Sequence, residues 1–503
     1  GKEDKIMDLY YKSTRDSKVR VTASQAILKG LSEEGGLFVP EEIPSLDVSM
    51  RELSAMTYQE TAYAVMRRFL TDFTEAELKD CIAKAYDSKF DLPQIAPLVK
   101  AEGAYYLELF HGATIAFKDM ALSILPHLMT VSARKNQVKE EIVILTATSG
   151  DTGKAALSGF ADVPGTRIIV FYPKDGVSPI QEKQMVTQKG DNTFVVGIRG
   201  NFDDAQSGVK AIFGDTAFKE ELAEKGFRFS SANSINIGRL VPQIVYYVYA
   251  YARLLGDGEI EENEPVNVVV PTGNFGNILA AYYAKQMGLP IHKLVCASND
   301  NKVLYDFFCT GCYDRNREFF LTSSPSMDIL ISSNLERLIY QIADQSDETN
   351  RKFMRELAEK GRYEITAAME ERLGDFYGGY ANQKEAAAAI KELYQAVGYV
   401  IDPHTAVASC VYGKYKKETG DTTKTVIAST ASPFKFTKSV MDALGETVKG
   451  TDDFRLADRL FELSGVPVPA AVEEIRDAKV LHHTVVNVDE MKQTVSAFLG
   501  TEK

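Results

Sequence analysis

Ile142-Val143-Ile144-Leu145-Thr146-Ala147-Thr148-Ser149-Gly150-Asp151-Thr152-Gly153 starts as an apolar, β-branched run and breaks into small polar residues. Residues 142–147 predict a buried strand, and the helical pattern of residues 154–160 predicts a helix directly after it. Two more runs of this kind, 167–172 and 193–198, follow, and another helical pattern covers 205–213. Strands alternating with helices predict an α/β fold, with a parallel sheet covered on both faces. Ligands bind such sheets outside the carboxyl ends of the strands, which is where residues 146–153 fall. Small residues there let the backbone approach a ligand, and Ser149 and Thr152 add hydroxyls. Gly153-Lys154 resembles the end of a nucleotide-binding P-loop. However, Thr148 stands where its first glycine belongs and Ala155 where its Ser or Thr belongs, which excludes an ATPase reading.

Upstream, a strand predicted at 105–110 leads into His111-Gly112-Ala113-Thr114-Ile115-Ala116-Phe117-Lys118-Asp119-Met120-Ala121. The apolar pattern after Lys118 puts this lysine at a helix start. A desolvated lysine there is a usable amine nucleophile or base, able to form a Schiff base with an aldehyde cofactor. The plain alternative is a surface lysine with its stem buried and its ammonium in water. Downstream, Pro271-Thr272-Gly273-Asn274-Phe275-Gly276-Asn277 joins a strand at 266–270 to a helix. It reads either as an anion site of backbone N–H groups suited to a monophosphate, or as an ordinary turn. Ser231-Ala232-Asn233-Ser234-Ile235-Asn236-Ile237-Gly238-Arg239 offers amides, a hydroxyl and a guanidinium for a second phosphate or a carboxylate; otherwise it is a capped helix start. His404, in Asp402-Pro403-His404, reads as a base or as a structural histidine at a helix start. The last core strand, 424–429, ends in Ser429-Thr430-Ala431-Ser432-Pro433.

At 503 residues the chain exceeds one core, so two or three domains are expected. A net charge of −13 argues against nucleic acid and anionic membranes as partners, so an anionic substrate must be met by local donors. No apolar run is long enough to span a bilayer, and charged residues 1–5, with no apolar stretch after them, predict no secretory signal. The five scattered cysteines suit a reducing cytoplasm. Cys309 and Cys312 form a CxxC without a second pair, which reads as a turn rather than a metal site. Capping boxes at Thr22/Gln25, Thr57/Glu60 and Thr74/Glu77 make the first hundred residues mainly helical.

HGATIAFKD, TATSGDTGKAAL, SANSINIGR, PTGNFGN and STASPFKF occur in that order, after an opening SQAILKGLSEEGGLFVP. This ordered set resembles the threonine synthase family in its longer bacterial and fungal form, over nearly the whole chain. The resemblance implies a fold-type II enzyme, tryptophan synthase β-like, using pyridoxal 5'-phosphate (PLP) to turn O-phospho-L-homoserine and water into L-threonine and phosphate. Two open parallel-sheet domains are expected. The large one comprises 101–134 and 236–440, with a helical insertion at about 300–397, and the small mobile one 135–235. The N-terminal region is 1–100, and 441–503 is expected to pack on the large domain. By position, Lys118 carries the cofactor as a Schiff base, with Phe117 beside the ring. Gly273, Asn274, Phe275, Gly276 and Asn277 bind its phosphate, and Thr430 faces the pyridine nitrogen. Ser149, Asp151 and Thr152 serve the substrate carboxylate and the cofactor O3′ side, while Asn233, Ser234 and Arg239 hold the substrate phosphate. Lys183 receives no role. A monomer or homodimer is expected. The alternatives are another fold-type II eliminase, such as a threonine dehydratase or a phospho-amino-acid lyase, and a binding protein that kept the fold. The 233–239 cluster separates a threonine synthase from a dehydratase, whose substrate has no phosphate.

Overall fold

The computed structural model describes residues 7–502, so the charged opening lies outside the described residues. All three N-terminal capping boxes form, at Thr22, Thr57 and Thr74. This region is less uniformly helical than expected. Tyr11–Ser13 pairs with Asp16–Val21 and with Phe38–Pro40 in an antiparallel sheet. The charged outward residues of Asp16–Val21 hide its alternation.

The larger sheet has six strands in the order Phe376–Tyr380, Ile291–Ser298, Val266–Pro271, Thr425–Ser429, Ala104–Glu108 and Leu98–Ala101. It is parallel except at the last strand, which returns antiparallel through Glu102 (φ 46°) and Gly103 (φ 76°). Two left-handed residues are what a tight hairpin between right-twisted strands requires. Residues 300–397 are therefore not a purely helical insertion: they supply the edge strand Phe376–Tyr380 and the antiparallel pair Cys312–Asp314 and Arg362–Glu364. Gly378 and Gly379 disguise that edge strand as a turn. Both are needed for packing, since an added Cβ would meet Phe308 at 2.9 Å and Val411 at 2.5 Å.

The second sheet is parallel throughout, in the order Thr484–Asn487, Thr193–Arg199, Thr166–Pro173, Glu141–Ala147 and Phe227–Ser230. Its first strand corrects the expectation for residues 441–503. Helices Thr437–Ala443, Asp453–Ser464 and Ala470–Arg476 do bury Val440, Leu456 and Val472 against the six-stranded sheet. The chain then crosses over, and Met491, Val495 and Leu499 join the core of the smaller unit. The crossing covers a strand edge that would otherwise be open.

Helix Ile237–Gly256 is buried on nearly every side, which explains its apolar circumference. It anchors the 231–239 segment against the larger unit.

Candidate active site

The segment carrying Lys118 is strapped to the turn after Thr425–Ser429. Leu109 N–H donates to Ser429 O (3.0 Å), Phe117 N–H to Thr430 O (2.8 Å) and Ser432 N–H to Ile115 O (3.0 Å). Ile115 is held at φ 54°, a strained setting for a β-branched residue. Below it, Asp119 accepts from the amide (2.8 Å) and hydroxyl (2.6 Å) of Thr114. Gly112 allows that staple, because a Cβ there would lie 2.7 Å from the Asp119 Cβ. The outcome is a helix, Asp119–Leu122, that begins with Lys118 facing a cavity. Although part of its side chain meets the cavity, its ammonium is far from bulk water. Desolvation brings it down to about 8; Asp151 opposes this, and the Arg239 and Lys435 cations reinforce it.

Lys118 Nζ donates to Thr152 Oγ1 at 2.8 Å. Thr152 is presented by the first turn of helix Asp151–Phe160, whose entry is tightened by Thr148 Oγ1 accepting from the Gly150 and Gly153 amides (both 3.0 Å). Asp151 stands behind, 3.8 Å from the buried Lys435 ammonium, which also donates to Thr114 O (2.7 Å). Burial raises the Asp151 carboxyl, but Lys435 and then Lys118 outweigh it and hold it below the usual range. Lys435 was missed, though it sits inside the quoted motif STASPFKF. Ser149 is exposed and stands outside the cavity lining.

Opposite lies the turn between Val266–Pro271 and helix Gly276–Gln286. Phe275 has φ 73°, and a Cβ on Gly273 would fall 2.3 Å from Ser326 O. Among the described residues, the N–H groups of Gly273, Asn274, Phe275, Gly276 and Asn277 have no backbone or side-chain acceptor. The Asn277 side chain accepts from Tyr246 and Tyr247 through Oδ1, while its buried Nδ2 has no partner. Five free amides at a helix N-terminus form a cradle for a phosphate. Two residues that the sequence did not flag hold it. Asn334 N–H donates to Asn274 O (2.9 Å) and its Nδ2 to Ser234 O (3.1 Å). Arg337 reaches Asn334 Oδ1 (2.5 Å), Ile235 O (2.6 Å) and Phe38 O (2.9 Å). The hint is a fully buried arginine beside a buried glutamate in helix Leu335–Ile342, and it becomes visible once burial is known.

The cavity, of about 550 Å³, is shared by Lys118, Phe117, Thr152, the 273–277 cradle and Thr430, and by Asn233, Ser234 and Arg239. Arg239 is 4% exposed. Its Nη1 donates to Ala232 O (3.2 Å), its Nε is buried without a partner, and desolvation brings it down to about 10. Ser429 Oγ lies 3.2 Å from Thr405 Oγ1, away from the cavity, and Thr430 is the strand-end residue that lines it. His404 has both ring nitrogens engaged, with Asp402 (2.8 Å) and the Ser326 amide (3.1 Å), and so anchors the wall. Lys183 is remote, donating to Arg476 O (2.7 Å). No group of three metal-ligating side chains occurs among the described residues. Cys309 and Cys312 flank Gly311 (φ 77°) as free thiols.

A desolvated lysine facing an amide cradle, between two open parallel sheets, defines a fold-type II PLP-dependent enzyme. The family described as "Pyridoxal-phosphate dependent enzyme" matches residues 89–431. The "Threonine synthase N terminus" matches 10–86 and "Threonine synthase, C-terminal" 405–495. Threonine synthase-like 1 of Homo sapiens is 41% identical over 445 residues, 85% of this chain and 59% of that protein. Threonine synthase of Saccharomyces cerevisiae is 36% identical over 465 residues, 86% of this chain and 89% of that one. The crystal structure of PLP-bound threonine synthase from Brucella melitensis superposes with a TM-score of 0.87 at 34% identity, covering 98% of this chain and 100% of that one. The chain belongs to the threonine synthase family of PLP-dependent enzymes. It spans about 59% of the length of the mammalian relatives.

Proposed function

We propose that the chain converts O-phospho-L-homoserine and water to L-threonine and phosphate. One cavity holding Lys118 contains two separate anion-binding poles, the 273–277 amides and the buried Arg239 with its unpartnered Nε. That pairing carries the reading, because a cofactor monophosphate and a substrate phosphate need one pole each. A dehydratase substrate would leave Arg239 buried without a counter-charge, which is costly.

Lys118 would carry PLP, and Gly273 to Asn277 would take its phosphate. Phe117 would flank the ring, Thr430 would meet the ring nitrogen and Asp151 would lie on the O3′ side. When bound, the cofactor supplies an electron sink for the carbon that loses its proton. With its proton affinity lowered to about 8, Lys118 is suited to take a proton from Cα and to move protons at Cβ. Asn233, Ser234 and Arg239 would hold the leaving phosphate, and Arg239 would stabilise its growing charge. Thr152 would meet the substrate carboxylate. Ser149 reaches it only if the five-stranded unit moves inward, so the reading includes closure, which also excludes water. The five free cysteines support work in a reducing cytoplasm, and the chain would act there as a monomer or homodimer.

The test is product identity. Pure protein, PLP and phosphohomoserine should yield threonine and phosphate in equal amounts. Phosphate with 2-oxobutyrate would make the chain a lyase, and no turnover with an intact cofactor absorption band would leave a binding protein.

A further inference from the structure

Behind the Lys118 helix lies a second cavity, of about 580 Å³, that the reaction does not use. It opens at a seam between the two units. Its walls include Ser123, just after the Lys118 helix, and His127 and Arg134 on helix Leu125–Lys135. Across from them are Gly159, on the helix that presents Thr152, and Asp162 in the turn beyond. Contact at this seam is backbone-close: a Cβ on Gly159 would sit 2.2 Å from Leu122 O. A ligand that spans the cavity would touch both the element carrying Lys118 and the element carrying its hydrogen-bond partner.

Some of the polar groups here are engaged by the fold, Thr130 Oγ1 donating to His127 O (3.0 Å) and Asp162 Oδ1 accepting from the Asp191 amide (3.0 Å). Ser123 is 9% exposed and its hydroxyl is buried with no partner. Burial, reinforced by Lys84 and Lys89, takes the His127 imidazole down to about 4, so it is neutral at neutral pH and offers a donor and an acceptor without charge. The neighbouring charges are mostly cancelled. Lys84 pairs with Asp80 and Lys89 with Asp87 (both 2.8 Å), and Asp119 is occupied by Thr114. Arg134 and Asp162 are left, of opposite sign and both exposed at the cavity's rim, with no ion-pair partner among the described residues; Asp162 Oδ1 accepts from the Asp191 amide, which leaves Oδ2 for a ligand. Ala113 and Ala155 supply small apolar surface between them.

We propose that this cavity is a second ligand site, taking a small zwitterion of the α-amino-acid class. Its carboxylate meets Arg134, its ammonium meets Asp162, and a side-chain oxygen meets Ser123. Because such a ligand bridges both units, its affinity differs between their relative positions, and by linkage it alters what the main cavity binds.

The probes are L-proline and trans-4-hydroxy-L-proline, titrated calorimetrically into the holoenzyme. As secondary amines they cannot displace Lys118 from an aldehyde to give a neutral imine, so an unchanged cofactor absorption band excludes covalent exchange at the main cavity, and the charge variants below separate the second site from non-covalent binding there. Binding with a Kd of about 1 mM or below is expected, weakened roughly tenfold or more by Arg134→Gln and by Asp162→Asn. Hydroxyproline should bind more tightly than proline, and Ser123→Ala should erase that difference. The affinity of the main cavity for inorganic phosphate should shift when proline is present. No binding at about 20 mM, a Kd indifferent to both charge variants, or acetate binding as well as proline would each overturn the assignment. These readouts do not depend on which product the enzyme makes.

Discussion

Lys118 Nζ and Thr152 Oγ1 are joined by a 2.8 Å hydrogen bond that spans two sheets sharing no strand. Lys118 hangs from the loop after Ala104–Glu108 in the six-stranded sheet, and Thr152 opens the helix after Glu141–Ala147 in the five-stranded one. The reactive amine thus senses the relative position of the two units. Thr152→Val keeps the shape and deletes the hydroxyl. It should lower kcat/KM roughly ten- to hundredfold, the equivalent of one hydrogen bond to a charged group. Thr152→Ser should retain most activity. Equal losses in both variants would mean that the methyl group, not the hydroxyl, matters.

The amine's depressed proton affinity sets a pH profile. Only neutral Lys118 attacks an aldehyde, and its proton leaves at about 8 rather than 10.5. Covalent uptake of PLP by the apoprotein should therefore rise about tenfold per pH unit below 8 and level off above it. Absorbance after rapid mixing measures this. A rate still climbing at pH 10 would mean that the ammonium is solvated, and Lys118→Ala should show no covalent uptake at any pH.

Arg239 tests the second anion pole. Arg239→Ala should raise the KM for phosphohomoserine on the order of tenfold to hundredfold, since charge-assisted contacts to phosphate are lost. The affinity for PLP should change by less than about threefold, because the 273–277 amides are untouched. Measuring both constants on one preparation decides the matter. Parallel loss of the two would place Arg239 in the cofactor site or in the fold.

Much of this was legible in the sequence because the chemistry is local. Strand, small-residue turn and helix follow one another at 142–160 and again at 266–286, so the 273–277 cradle and Thr152 could be placed by reading along the chain. What was not legible depends on distant contacts. Asn334 and Arg337 act on Ser234, Ile235, Asn274 and Phe38, which lie far from them in sequence. Strand Thr484–Asn487 pairs with Thr193–Arg199 across nearly three hundred residues, and its short valine-rich run carries no mark of its partner. Ser149 shows the converse limit, since a hydroxyl inside a motif can still face solvent.

Gly273 and Gly276 lie in the same turn but should respond differently to alanine. A Cβ on Gly273 would be 2.3 Å from Ser326 O, whereas one on Gly276 would be 3.4 Å from its nearest neighbour, Asn334 Nδ2. The Ser326 backbone cannot easily yield, because its amide is held by His404 Nε2. The cradle must therefore shift in Gly273→Ala, turning its amides away from a bound phosphate, while Gly276→Ala meets ordinary contact distances. Gly273→Ala should lose PLP on dialysis, with an affinity at least tenfold lower, and Gly276→Ala should keep it. Both should retain Lys118 and Arg239 chemistry, so excess PLP should restore turnover to the first variant. Retention of PLP by Gly273→Ala at wild-type affinity would show that the phosphate is held elsewhere.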